Sequence, residues 1–134
     1  GSIGPVQRGL GLLIRRARPE VLQPVALAYD PLGPGRTRAY VAVGAPFAPP
    51  ARGAEAEVLA AFRALLPLTP GQVAAHAAVQ GIDPELVAAR ALDERRPAEP
   101  RLRELLPGAV AAAREAPRRV LERLDLEFRS ARGL

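Results

Sequence analysis

Apolar residues recur along this chain with two periods, and the point where one gives way to the other divides it. Val6, Leu10, Leu13 and Ile14 fall at three- and four-residue spacing while Arg8, Arg15 and Arg16 fall elsewhere on the wheel. That spacing predicts an amphipathic helix over residues 6–17. Pro19 ends it, because proline lacks a backbone donor and disfavours helix in the residue before it. Val21, Leu22, Val25 and Leu27 then make an apolar run over 21–29, bounded by Pro19 and the turn-rich cluster at 30–35. The run reads as a buried strand, although Pro24 cannot donate to a ladder and belongs at a strand's start or on an edge. Residues 38–43 read as a second strand, and Gly44, Pro46, Pro49 and Pro50 break it into an extended connector. Val58, Leu59, Phe62, Leu65 and Leu66 return to helical spacing over 55–66, stopped by Pro67.

Beyond Pro67 only the helical period remains, so a boundary is expected there, giving units 1–66 and 67–134. Thr69, Pro70 and Gln72 form a capping signature: the threonine caps, the proline takes the first helical position, and the glutamine reaches back to the cap amide. Asp83, Pro84 and Glu85 start a further helix carrying Leu86, Val87, Ala91 and Leu92, with its carboxylates at the favourable end of the helix dipole. A charged, proline-rich loop is expected over 95–100, followed by helices over 101–106 and 118–128. In the last, Val120, Leu121, Leu124 and Phe128 share a stripe, with Glu122, Arg123, Asp125 and Arg129 off it. There is no repeat of fixed period; residues 68–78 resemble the opening of a repeat from bacterial DNA-reading effector proteins, but one copy is not an array. The expected fold class is α/β, about two strands with flanking helices, followed by an all-helical extension.

Composition narrows the chemistry. The 134 residues include no cysteine and a single histidine, which excludes disulfides, thiolate sites and multi-histidine metal clusters. No metal or cofactor is expected. With no tryptophan and few other aromatics, the core must come from Leu, Val and Ala. Every basic residue except His76 is arginine, which stays charged at working pH, so the net charge of +5 favours anionic partners. No stretch of about 20 apolar residues is present, and the first residues lack the charged-then-apolar pattern of a signal peptide.

No complete catalytic constellation can be read from the residues. His76 would form a general base with an orienting Asp five positions on, but Gly81 stands there, and Val73, Ala77 and Gln80 around it mark a surface or packing histidine. Ser2 and Ser130 are the only serines, and neither sits in a nucleophile elbow. Gly9 and Gly11 are too sparse for a dinucleotide fingerprint. Arg15, Arg16 and Arg18 suit a helix C-terminus, whereas Arg118 and Arg119 open a helix against its dipole and call for an acidic partner.

Three segments in order carry a family resemblance. Ile3-Gly4-Pro5-Val6-Gln7-Arg8-Gly9, then Val21-Leu22-Gln23-Pro24-Val25-Ala26-Leu27, then Val41-Ala42-Val43-Gly44-Ala45-Pro46-Phe47 resemble, in order and spacing, the second half of the phospholipid and glycerol acyltransferases, of the 1-acyl-glycerol-3-phosphate acyltransferase type. The middle segment is similar to the family's fourth motif block, with Pro24 at its second proline and Val21 where the first would be. The resemblance covers residues 1–66 as the C-terminal portion of the acyltransferase fold. It implies acyl transfer from acyl-CoA or acyl-carrier protein to glycerol phosphate or a lysophospholipid, peripheral contact with the inner face of the cytoplasmic membrane, and a substrate-binding role for Pro24. It also places the family's His-x-x-x-x-Asp pair and substrate arginine upstream of Gly1, so the chain alone is expected to be inactive.

An alternative of a different class stays open: a small basic α+β module that binds an anionic partner. Nucleic acid is disfavoured as that partner, because stacking aromatics and a recognition-helix pattern are both lacking. A sheet of two strands also leaves edges unpaired, so the isolated chain is expected to self-associate.

Overall fold

The computed structural model of the chain describes residues 9–33, 35–50, 53–93 and 101–133. Among these, α1 (Gly9–Ala17) leads to an antiparallel pair, β1 (Val25–Asp30) and β2 (Arg38–Val43). Five helices follow: α2 (Ala54–Leu65), α3 (Pro70–Gln80), α4 (Pro84–Asp93), α5 (Leu102–Glu115) and α6 (Arg118–Arg132). The fold is mixed α/β and mostly helical. The predicted first turn of the first helix, residues 6–8, and the loop at 95–100 lie outside the described residues.

The strand pair explains what Pro24 does to the run at 21–29. Pairing is regular from Val25 opposite Val43 to Asp30 opposite Arg38, and Gly44 N–H still donates to the Pro24 carbonyl at 2.9 Å. Pro24 itself has no N–H, so the ladder breaks there. It resumes where Leu22 and Phe47 exchange bonds of 2.8 and 2.9 Å, with one extra residue on the second side. The strand therefore begins at Val25 rather than Val21.

Side chains alternate along both strands, with the usual sizes reversed. Ala26 and Ala42 point inward, where they pack with Leu65 of α2, while Val25, Leu27, Tyr29, Val41 and Val43 point outward and are 46–62% exposed. The sheet thus buries two alanines and keeps Tyr40 half-buried on the same side, while its branched residues and Tyr29 stay largely exposed.

The helical half is built around α3. Its residues Pro70 to Ala75 and Ala77 are all buried, because α6 and α5 cover it on two sides and α4 on a third. Small side chains let these helices close in, with Leu68, Leu102, Leu106, Leu124 and Phe128 filling the spaces between. The helix expected to stop at residue 106 continues through Pro107 to Glu115. Leu102, Leu106, Ala109 and Ala113 form one buried stripe, and its burial outweighs the single backbone bond that Pro107 cannot make.

One carboxylate joins the halves. Asp30, at the end of β1, is 1% exposed; its Oδ1 accepts from Leu32 N–H at 2.9 Å and its Oδ2 from Gly71 N–H at 2.7 Å. Leu32, in the turn after β1, reaches into the helical core. The expected capping box is also present: Thr69 Oγ1 accepts from Gln72 N–H at 3.2 Å and Gln72 Oε1 from Thr69 N–H at 3.0 Å. Every donor of the first turn of α3 is satisfied, since Pro70 has none, Gly71 donates to Asp30, Gln72 to Thr69, and Val73 to the Thr69 carbonyl.

A His–Asp pair beside an arginine-lined cleft

His76 lies on the side of α3 that faces α6. Its Nδ1–H donates to Oδ1 of Asp125, and its ring stacks on Phe128 with centroids 4.3 Å apart and planes 11° from parallel. Asp125 is 4% exposed, and its other oxygen accepts from Arg129 Nε at 2.9 Å. Each oxygen of this buried carboxylate therefore has a hydrogen-bond donor. With Nδ1 committed to Asp125, Nε2 is the ring nitrogen that remains for another partner. The reading of His76 as a packing histidine holds for the ring. The orienting Asp absent from position 81 is supplied from another helix, 49 residues along the chain. Asp125, expected off the apolar stripe, is buried because it lies one residue after Leu124 and three before Phe128 on the face that meets α3.

A cleft of about 710 Å³ opens beside this pair between α3, α4 and α6. Ile82, Leu86 and Phe128 give it apolar walls, and Arg90 and Arg132 add two guanidinium groups to His76. The Arg132 guanidinium lies 5.5 Å from the Phe128 ring centre. Burial lowers the Arg132 pKa from its ordinary value, and the like charge of Arg90 lowers it further. No Asp or Glu is among the described residues that line this cleft.

The other singled-out residues are dispersed. Pro24 is buried at the start of the strand pair, in the helix–sheet half of the molecule, and its ring packs so closely on Gly44 that a Cβ there would sit 2.7 Å from Pro24 Cγ. Arg15, Arg16 and Arg18 are exposed at and just beyond the end of α1, with Arg18 in the left-handed region at φ 45°. Arg118 finds its acidic partner on its own helix, Glu122 at 2.8 Å. Ser2 lies outside the described residues. No group of three or more His, Asp and Glu side chains converges among the described residues, and no single helix among them is long and apolar enough to cross a membrane.

Comparison with protein-family models, with curated proteins and with solved structures finds no match.

Proposed function

We propose that this chain is a portion of a phospholipid or glycerol acyltransferase, the enzyme that moves an acyl group from an acyl-CoA or acyl-carrier thioester to the hydroxyl of glycerol phosphate or a lysophospholipid at the inner face of the cytoplasmic membrane. The observation that carries this reading is the reversed alternation of β1 and β2. Val25, Leu27, Tyr29, Val41 and Val43 lie on the bare face, whereas Ala26 and Ala42 are buried. A two-stranded sheet that stood by itself would turn its large residues inward; strands apolar on both faces belong to an α/β sheet covered on both sides. The two segments that resemble the family's fourth block and returning strand are the ones that pair here, Val25 opposite Val43.

Acyl transfer needs a base to take the acceptor hydroxyl's proton and a group to hold that base in place. The family's His-x-x-x-x-Asp spacing does not occur in this sequence, so the base belongs to another part of the enzyme. Residues 9–66 supply the sheet behind the site. Pro24 acts by fixing the end of β1 and its approach to Gly44. The His76–Asp125 pair sits in the helical half, away from these strands, and has no part in this reading.

The test is to read the open reading frame upstream of Gly1 and assay its whole product. A His-x-x-x-x-Asp motif followed by a Glu-Gly-x-Arg-Ser-type motif is expected there, with transfer of labelled acyl groups from acyl-CoA to lysophosphatidate that is lost when the motif histidine becomes alanine. A frame lacking both motifs, or a product without that transfer, overturns the proposal.

A further inference from the structure

We propose that β2 is a dimerisation edge: two copies of this chain pair their β2 strands antiparallel about a twofold axis at Val41, joining their two-stranded sheets into one of four strands. The inference rests on the strand edge alone and is independent of the acyltransferase reading.

The bond from Gly44 N–H to the Pro24 carbonyl fixes which backbone groups are free. In an antiparallel ladder, pairs that exchange hydrogen bonds alternate with pairs that do not. With Pro24 and Gly44 a bonded pair, Tyr40 and Ala42 turn their backbone groups toward β1, while Ala39, Val41 and Val43 turn theirs away from it. No backbone bond outside the strand pair reaches these three among the described residues. The edge of β1 is more crowded. Helices α2 and α3 pack on that strand, and Leu27, Ala28 and Tyr29 share a cleft with Arg119, Val120 and Arg123 of α6. Among the described elements only β1 packs extensively on β2.

Exposed edges of folded chains are blunted by proline, lysine, an inward charge or a bulge. From Ala39 to Val43 there is none of these. The one charge of β2 is Arg38 at its start, the extra residue of the ladder comes after Gly44, and the first proline is Pro46.

The strand is complementary to itself when reversed about Val41. Ala39 then meets Val43 of the second copy, Tyr40 meets Ala42, and Arg38 meets Gly44. Each pair away from the axis sets a larger side chain beside a smaller one, and no like charges meet. The three pairs formed by Ala39, Val41 and Val43 exchange about six backbone bonds. An axis centred on Tyr40 would oppose two phenol rings on the half-buried face, and one centred on Ala42 would run the pairing into Pro46. The twofold contact closes on itself, so assembly through this edge stops at two copies.

The chain has no cysteine, so a single introduced one can cross-link only to its own mate. Two Val41 Cα atoms facing across the axis lie about 5.5 Å apart, within the about 4.4–6.8 Å that a disulfide spans. Leu27, opposite Val41 in the ladder, lies three strand spacings from its mate, roughly 14 Å. Under copper–phenanthroline oxidation of the full chain, Val41→Cys should form a linked dimer at least about tenfold faster than Leu27→Cys. Sedimentation velocity of the full chain carrying Leu27→Thr and Val41→Thr, which blunts the bare face but keeps every backbone donor, should show a dimer and nothing larger. Val41→Pro in the Leu27→Thr chain removes one outward N–H without touching the ladder to β1, and should shift the dimer to monomer. The cysteine comparison needs no proline and decides the matter should that variant fail to fold. A monomeric threonine variant, cross-linking through Leu27→Cys as fast as through Val41→Cys, or a Val41→Pro chain that stays dimeric would each rule the edge pairing out.

Discussion

Replacing Gly71 with alanine should destabilise this protein, and the same replacement should become harmless once Asp30 has lost its carboxylate. A Cβ built at residue 71 lies 2.1 Å from Asp30 Oδ1, 2.8 Å from its Cγ and 3.1 Å from Oδ2, and these are its three nearest atoms. The carboxylate must therefore withdraw, giving up the 2.7 Å bond from Gly71 N–H and the 2.9 Å bond from Leu32 N–H. A hydrogen bond to a charged group contributes about 1.5–3 kcal/mol, so partial loss of two sets the cost of Gly71→Ala at about 2–4 kcal/mol. Asp30→Ala leaves two buried N–H groups without acceptors, at about 1–3 kcal/mol each. In that background the methyl group at 71 meets empty space, and alanine is favoured over glycine in a helix by about 0.5–1 kcal/mol. The two substitutions should thus couple by about 3 kcal/mol. Urea denaturation of the parent, both single variants and the double variant gives the coupling directly, provided the m value stays constant. Additivity to within about 0.5 kcal/mol would refute the claim that one carboxylate joins the strand pair to α3.

Exchanging the bare residues Leu27 and Val41 for threonine should reduce self-association with little change in the denaturation midpoint, and sedimentation velocity compares the two chains; equal association would place the sticky surface elsewhere. Pro107→Ala should raise stability by about 1–3 kcal/mol, because it restores the backbone bond missing inside α5 without disturbing the buried stripe, as thermal denaturation would show. Burial and the nearby Asp30 charge raise the pKa of Tyr40 above the ordinary phenol value of 10.0, with Arg38 offsetting part of the effect. A raised folded-state value means stability that is present below about 10 and is lost as pH rises through the folded value. The fall in denaturation midpoint above about pH 10 should therefore be shallower in Tyr40→Phe, and a Tyr40 phenolate forming at the ordinary pH would contradict the burial argument.

Features set by neighbouring residues were legible from the chain. The capping box at Thr69 and Gln72, the start of α4 at Asp83, and the bounds of β2 each depend on four to six consecutive residues whose hydrogen bonds close locally. Pro107 misled because the proline rule is local while the stripe of Leu102, Leu106, Ala109 and Ala113 that overrides it is rewarded only by contact with other helices. Asp30 read as one more turn residue, since nothing near it in sequence announces Gly71, 41 residues on. His76 was legible as a histidine on an apolar helix face, but its partner could not be found by spacing. The available signal was Asp125 itself, lodged between Leu124 and Phe128, where a carboxylate would be stranded unless another element brought it a donor. Arg90 and Arg132 gave no such signal, because each suits the end of its own helix and only the packing of α4 and α6 against α3 brings them to one cleft.

The enclosure of α3 also sets how this chain can diverge. From Val73 to Ala77 the helix offers its neighbours nothing bulkier than valine except at His76, and most of it is sealed. An added methylene there has no free volume to occupy and must push a whole neighbouring helix aside. Descendants can trade arginines over the outer faces of α4 and α5 at little cost, while drift along α3 is confined to exchanges among the smallest residues. The slowest-changing stretch of such a lineage would then be one with hardly any reactive group, held constant by size alone.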